Sequence, residues 1–219
     1  MKISPSLLAA DFANLQSSVA KVEHAVDMLH LDVMDGCFVP NISFGPAIIA
    51  ALRPHSKLFF DVHLMIERPE RYLEAFRKAG ADGITIHVES TENPAEVLKA
   101  IRALGAKPAI SISPDTKAEV IFPLLPLCDM VLVMTVYPGF GGQKLIPRCL
   151  DKVTELKAEI AKQGLTIPVE ADGGIGAANL ASVLAAGVDV VVAGSAVFGA
   201  TDPMAAVRAM REVEKAINA

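Results

Sequence analysis

Two histidines and two aspartates end short apolar runs in a pattern that could hold a divalent cation. The run at 28–34 closes His30-Leu31-Asp32-Val33-Met34. Alternate residues of a strand point to one side, so His30, Asp32 and Met34 share a face and Leu31 and Val33 take the other. The run at 58–65 puts His63 and Met65 on one face, and another run ends Glu170-Ala171-Asp172. If these ends gather at one mouth, His30, Asp32, His63 and Asp172 offer two imidazole nitrogens and two carboxylates. That mixed donor set suits Zn²⁺, Fe²⁺, Mn²⁺ or Co²⁺. A lone strand histidine is ordinarily a hydrogen-bonded core or surface residue; two beside two carboxylates are harder to read that way. His87 and Glu89, again two apart, read equally well as outer partners of such a site or as a plain buried hydrogen bond.

The second cluster is glycine. Tyr137-Pro138-Gly139-Phe140-Gly141-Gly142-Gln143 follows the run at 130–136. It reads as a mobile lid or a backbone anion nest, against the alternative of an ordinary turn. Gly173-Gly174 opens a helix pattern, and Gly194-Ser195 follows the run at 188–193. Glycine permits close backbone approach, and free N–H groups then bond phosphate oxygens. With the cation ligands, these glycines indicate a phosphorylated small substrate whose reacting carbons lie at the metal. Ser6 could reach such a substrate, although a satisfied strand hydroxyl accounts for it as well.

The elements that must position these groups alternate. Short β-branched apolar runs occur at 3–8, 28–34, 58–65, 83–88, 108–112, 130–136, 167–171 and 188–193, and suit strands buried on both faces. Helical patterns lie between them at 12–25, 69–78, 94–104, 147–163, 177–186 and 203–217, with weaker ones at 46–53 and 117–122. Several end at glycine: Gly80, Gly105, Gly164 and Gly187. Asp202 caps the last. Eight strands alternating with eight helical segments predict an α/β fold with a parallel sheet. A closed eight-stranded (β/α)₈ TIM barrel fits better than an open doubly wound sheet, because no strand looks like an edge and the GxGxxG turn after the first strand is missing. In such a barrel the chemistry sits at the C-terminal strand ends, and the loops after strands seven and eight commonly bind phosphate.

The chain has 219 residues, about 27 for each of eight βα units, close to the shortest workable length. It reads as one domain over 1–219, with no Pro/Ser-rich linker. At 52% hydrophobic and 21% charged residues, with mean hydropathy +0.42, a disordered chain is excluded. Net charge −5 and pI about 5.5 favour neither nucleic acid nor an anionic membrane surface. No apolar run is long enough to span a bilayer, and Pro5 and Asp11 disqualify the N-terminus as a signal peptide. Cys37, Cys128 and Cys149 are odd in number and far apart, so they read as reduced cytoplasmic thiols.

Together these motifs resemble the ribulose-phosphate 3-epimerase family. SPSLLAADFANL, LHLDVMDGCFVPNISFGP, DVHLMIERPE, MTVYPGFGGQ, VEADGG and VAGSA stand in the family's order across nearly the whole chain. The resemblance implies a (β/α)₈ barrel and reversible C3 epimerisation of D-ribulose 5-phosphate to D-xylulose 5-phosphate, a reaction of the pentose phosphate pathway. It implies one divalent cation, Zn²⁺ first with Fe²⁺, Mn²⁺ or Co²⁺ as alternatives, held by His30, Asp32, His63 and Asp172, and no organic cofactor. It makes Asp32 and Asp172 the acid/base pair. Ser6 and His63 match substrate-contacting positions, and Met34, Met65 and Met134 match methionines of the mouth. Gly139, Phe140, Gly141 and Gly142 belong to the loop over the substrate; Gly173, Gly174, Gly194 and Ser195 belong to the phosphate site. A cytoplasmic homo-oligomer, dimer or hexamer, is also implied. Tyr137 stands where the family more often has Asn, His or an acidic residue, which bears on fine substrate preference. Ala171 replaces the usual Val, and alternation turns it away from the ligand residues.

The implied reaction removes the C3 proton next to the C2 carbonyl, giving an enediolate, and returns a proton to the other face. One aspartate takes the proton and the other delivers one, with roles reversed in the reverse reaction, so the two need opposite protonation states at the start. A cation would offset the negative charge that develops. Two rival readings remain: a 3-epimerase of a six-carbon ketose phosphate such as allulose 6-phosphate, and a non-catalytic phosphosugar-binding barrel.

Overall fold

The computed structural model describes residues 1–218; Ala219, the end of the expected domain, lies outside them. Eight strands form one sheet: β1 (Lys2–Ser4), β2 (Met28–Met34), β3 (Phe59–Met65), β4 (Gly83–His87), β5 (Lys107–Ile112), β6 (Met130–Met134), β7 (Val169–Asp172) and β8 (Val190–Val192). All neighbours run parallel, in the order β1-β8-β7-β6-β5-β4-β3-β2. The ends of this order meet again. The Asp27 N–H donates to the Ile3 carbonyl and the His30 N–H to the Pro5 carbonyl, both at 3.0 Å, so the sheet curls into a barrel with only this short join.

Helices connect the strands: α1 (Leu15–Ala20), α2 (Pro46–Leu52), α3 (Leu73–Ala79), α4 (Pro94–Ala103), α5 (Cys149–Lys162), α6 (Leu180–Ala185), α7 (Ser195–Phe198) and α8 (Pro203–Asn218). Proline opens α2, α4 and α8, where its missing N–H costs nothing. Gly80 stops α3 in the left-handed region at φ 111°, its N–H reaching the carbonyls of Arg77 and Phe76. Asp202 accepts from the Ala205 N–H at 2.9 Å, as a cap should.

Alternation gives each strand two jobs. Leu29, Leu31, Val62, Leu64, Ile84, Ile86, Ile110 and Val131 are fully buried in the layer beneath the helices. Each such side chain contributes about 1.5–3 kcal/mol relative to exposure. The opposite faces fill the barrel. Met28, Ala109, Met130 and Val190 form an apolar plug at its N-terminal end. Above the plug the interior turns polar, with Ser4, His30, Asp61, Thr85, Ser111 and Glu170 all fully buried.

The structure differs from the sequence expectation at several elements. β1 ends at Ser4; Ser6 caps a short 3-10 turn, Leu7–Ala9, and keeps only an isolated bridge to His30. The expected helix at 12–25 shortens to α1, flanked by i→i+3 turns such as Ala25 N–H to Val22 O. The weak pattern at 117–122 becomes a 3-10 run, Ala118–Leu127, because Pro123 and Pro126 remove the donors that an α-helix there needs. α7, directly after Gly194, was not expected. Among the described residues no helix is long and apolar enough to cross a membrane.

The thiols make a direct test of this packing. Cys128 and Cys149 are buried, and burial pushes the Cys128 thiol up to about 12, while Cys37 is exposed. Ellman's reagent is therefore expected to titrate one thiol in the native protein and all three in denaturant. Fast reaction of two or more native thiols would overturn the packing around Cys128 or Cys149.

Candidate active site

Register brings the candidate ligands together. β2 and β3 pair His30 with Asp61, Asp32 with His63 and Met34 with Met65, while β6 and β7 pair Met134 with Asp172. Residues paired across parallel strands sit at one level, so Asp32 and His63 face inward side by side. β7 stands across from β2, separated from it in the ring by β8 and β1. His63 Nδ1 lies 3.0 Å from Asp32 Oδ1 and 3.3 Å from His30 Nε2. His30 Nε2 is 3.2 Å from Asp32 Oδ1 and 3.7 Å from Asp172 Oδ2. One donor atom from each of the four lies within 4.8 Å of all the others.

His30 and Asp32 are held from behind. Asp61 Oδ2 sits 2.7 Å from His30 Nδ1, and Asp61 Oδ1 accepts from the Thr85 hydroxyl at 3.2 Å. The Ser6 hydroxyl donates to Asp32 Oδ2, and the Leu8 N–H in turn donates to the Ser6 oxygen at 3.2 Å. Asp61 was not singled out from the sequence. The signal was there, since it stands two residues before His63 and so shares its face. Glu170 has no hydrogen-bond partner and lies 3.8 Å from His30 Nδ1.

Charge in this cluster is unevenly divided. Burial alone would strip the proton from His30, but the Asp32 and Asp61 carboxylates reverse this and hold it well above an ordinary histidine. Against its own burial, Asp32 is held far below the usual carboxylate range, chiefly by His30. Asp172 goes the other way: burial and the charge of Asp32 push it up. Burial and Asp61 likewise push Glu170 well up. The two aspartates nearest the mouth are thus shifted in opposite directions, Asp32 down and Asp172 up.

The donor set fits a divalent cation. Two imidazole nitrogens and two carboxylate oxygens converge in a buried site, the donor types and number that such a cation takes. His30, His63 and Asp32 are buried, whereas Asp172 keeps 15% of its side chain exposed, so the cluster opens on that side.

A cleft of about 560 Å³, counting its open mouth, lies above the cluster. Asp32 and Asp172 reach its floor; His30 and His63 lie beneath it and line none of it. Met34, Met65 and Met134, all nearly fully buried, form its apolar wall with Ser6 and Leu8 beside them. Tyr137, Gly139, Phe140, Gly141 and Gly142 overhang it, with Phe140 56% exposed. This loop is tied down at three points. Asn41 Nδ2 donates to the Gly139 carbonyl at 2.7 Å, Gln143 Nε2 bridges the Tyr137 and Phe140 carbonyls, and the Tyr137 hydroxyl donates to Asp115 at 3.1 Å, where Arg148 also binds. The far wall is Gly173, Gly174, Gly194 and Ser195. Gly173 and Gly174 both have positive φ, and Ser195 opens α7. Ala171 is buried in the outer core, as alternation requires.

A profile of the Ribulose-phosphate 3 epimerase family matches residues 2–198. Ribulose-phosphate 3-epimerase of Mycobacterium bovis is 48% identical over 209 residues, 95% of this chain and 91% of its own. Ribulose-phosphate 3-epimerase of Bacillus subtilis is 43% identical over 213 residues, 96% and 98% of the two chains. The crystal structure of a 3-hexulose-6-phosphate synthase superposes with a TM-score of 0.74 at 22% identity, covering 97% of this chain and 99% of that one, a likeness of fold.

Proposed function

The chain belongs to the ribulose-phosphate 3-epimerase family, and from that premise we propose that it interconverts D-ribulose 5-phosphate and D-xylulose 5-phosphate by moving a proton at C3. The observation that carries this reading is the Asp32/Asp172 pair. The two come from opposite sides of the barrel, stand within 4.8 Å of each other and are shifted in opposite directions, Asp32 down and Asp172 up. An epimerase needs one carboxylate ready to accept a proton and one ready to give it.

Asp32, as the anion, removes the C3 proton; the electrons of the broken C–H bond form the C2–C3 double bond of an enediolate. Asp172, as the acid, delivers its proton to the opposite face of C3, and the C2 carbonyl reforms. In the other direction Asp172 is the base and Asp32 the acid. Ser6 holds the Asp32 carboxylate in place through its hydroxyl. His30, Asp32, His63 and Asp172 would hold one divalent cation, which supplies positive charge to offset the charge that develops on oxygen. Met34, Met65 and Met134 exclude water from the reacting carbons, and the loop at 139–142 covers them. The phosphate takes the backbone N–H groups at Gly173–Gly174 and at the start of α7.

The test is incubation with ribulose 5-phosphate in D₂O, following C3 by NMR. The expected product is xylulose 5-phosphate carrying deuterium at C3, lost after chelation and restored by Zn²⁺, Fe²⁺, Mn²⁺ or Co²⁺. Absence of exchange with every cation would sink this substrate. Exchange on allulose 6-phosphate instead would move the reading to a six-carbon substrate, and tight phosphosugar binding without any exchange would make the chain a binding protein.

A further inference from the structure

His63 has a second set of contacts that the acid/base chemistry does not use. Its Nε2 lies 2.9 Å from Nε2 of His87, whose side chain is fully buried. His87 Nδ1 lies 3.1 Å from Glu89 Oε2. The other Glu89 oxygen accepts from the Ser113 N–H at 2.8 Å and from the Thr116 hydroxyl. Phe38 closes over the His87 ring, with centroids 4.9 Å apart. Glu89 itself is 27% exposed, on a separate cleft lined by Glu67, Arg68 and Glu92. A continuous file thus runs from the site through two imidazoles to a carboxylate at the surface.

Hydrogen-bond arithmetic fixes the protons along this file. Two imidazole nitrogens 2.9 Å apart must be one donor and one acceptor. An ionised carboxylate can only accept, so Glu89 requires N–H at His87 Nδ1. A neutral His87 then carries its lone pair on Nε2. His63 must therefore donate from Nε2; its Nδ1 then either shares a second proton with the ionised Asp32 carboxylate or, once that proton leaves, offers its lone pair. Nδ1 is the nitrogen that faces Asp32 Oδ1 and His30 Nε2. A cation ligand needs its lone pair there, since a proton at Nδ1 would compete for the position.

We propose that Glu89, acting through His87, is a positioning residue that locks His63 in its Nε2–H form and so sets the affinity of the four-residue cluster for a divalent cation. The inference rests on the cation reading of that cluster. It assigns work to two residues that touch neither substrate nor cation, and gives His63 an outer partner as Asp61 does His30. Removal of such partners typically weakens cation binding 10–100-fold.

The test uses the full chain stripped with chelator. Zn²⁺ affinity is measured by competition with a chromophoric chelator, and histidine protonation by long-range ¹H–¹⁵N NMR on the cation-free protein. Glu89→Gln keeps size and an acceptor for Ser113 while presenting an amide donor to His87 Nδ1. That reverses the file: the His87 proton moves to Nε2 and that of His63 to Nδ1. The expected result is His63 Nε2–H in the unmutated protein, its loss in Glu89→Gln, and 10–100-fold weaker Zn²⁺ binding at an unchanged melting temperature. Glu89→Ala, which cannot present an acceptor by rotating an amide, should weaken binding at least as much. Thr116→Val removes a Glu89 contact without touching His87 and should bind as the unmutated chain does. Zn²⁺ binding within about threefold of the unmutated chain in both Glu89 variants, or no proton on His63 Nε2 in the unmutated chain, would overturn the proposal. Failure of the unmutated chain to bind any divalent cation would instead reject the cation site, while the NMR result still decides the His63 form.

Discussion

Asp172→Asn is expected to lower epimerisation of ribulose 5-phosphate by on the order of 10³–10⁴-fold, the upper range of what one positioned acid or base supplies. The fold should survive. Burial and the Asp32 charge already favour the neutral form of Asp172, so an uncharged, isosteric amide replaces a group whose charge is disfavoured. The residual chemistry is the sharper readout. With only Asp32 working, C3 can lose and regain a proton on one face, so deuterium from solvent should enter one isomer without inversion. Asp32→Asn should show the mirror behaviour, with exchange confined to the other isomer. It should also cost stability, on the order of 1–3 kcal/mol, because Asp32 is one of two carboxylates facing His30, and its loss leaves that imidazole with Asp61 alone. NMR of the two substrates in D₂O and urea unfolding of both variants check these outcomes. If both variants exchange the same isomer, the two-base scheme fails. Equal stability loss in both would contradict the unequal charge division between the aspartates.

The parts of this site that were legible in the sequence are those set by period-two alternation. His30, Asp32 and Met34, like His63 and Met65, must share a face once their strand exists, and parallel pairing then brings Asp32 level with His63. The same rule applied to β3 would have found Asp61, and applied to β4 it puts His87 on the face of Thr85. What alternation leaves open is the identity of a partner across the barrel. Nothing in the local sequence says that His87 meets His63 through Nε2, or that Glu89 reaches the loop at 113–116, since those contacts depend on the separation between strands and on loop paths. Turn chemistry misled at two places. Apolar residues at 117–122 look helical until Pro123 and Pro126 are counted as lost donors. Ser6 looked like a strand residue, but its side chain caps the turn that follows and holds Asp32. The glycine loops were recognisable as a group, whereas which glycine is irreplaceable depends on what crosses its missing side chain.

Gly174 is the position where that matters most, and Gly174→Ala is expected to reduce kcat/KM about 100-fold, the scale on which a displacement of roughly 1 Å acts. Its φ is +66°, and a Cβ there would stand 2.3 Å from the Leu145 nitrogen and 2.7 Å from the Gln143 carbonyl oxygen. Both are backbone atoms and cannot rotate away. The loop after β7 and the loop after β6 must then part, and both line the cleft. Asn179 resists such a shift, since its amide donates to the Gly174 carbonyl at 2.8 Å and its oxygen accepts from the Gly176 N–H at 3.0 Å. Strain therefore falls on the wall assigned to the phosphate, above the strand-borne cluster. The loss should appear mainly as a raised KM and weaker inhibition by inorganic phosphate, with divalent-cation affinity unchanged. Gly141→Ala is the control from the same cleft: an added Cβ meets nothing within 4 Å and its φ lies outside the left-handed region, so kcat/KM should stay within about threefold. A kcat/KM near that of the unmutated chain in Gly174→Ala would show that the two loops can separate freely, and would remove Gly174 from the phosphate wall. Loss in both variants would instead implicate closure of the loop at 139–142, since only a conformation tighter than this one could make Gly141 as crowded as Gly174.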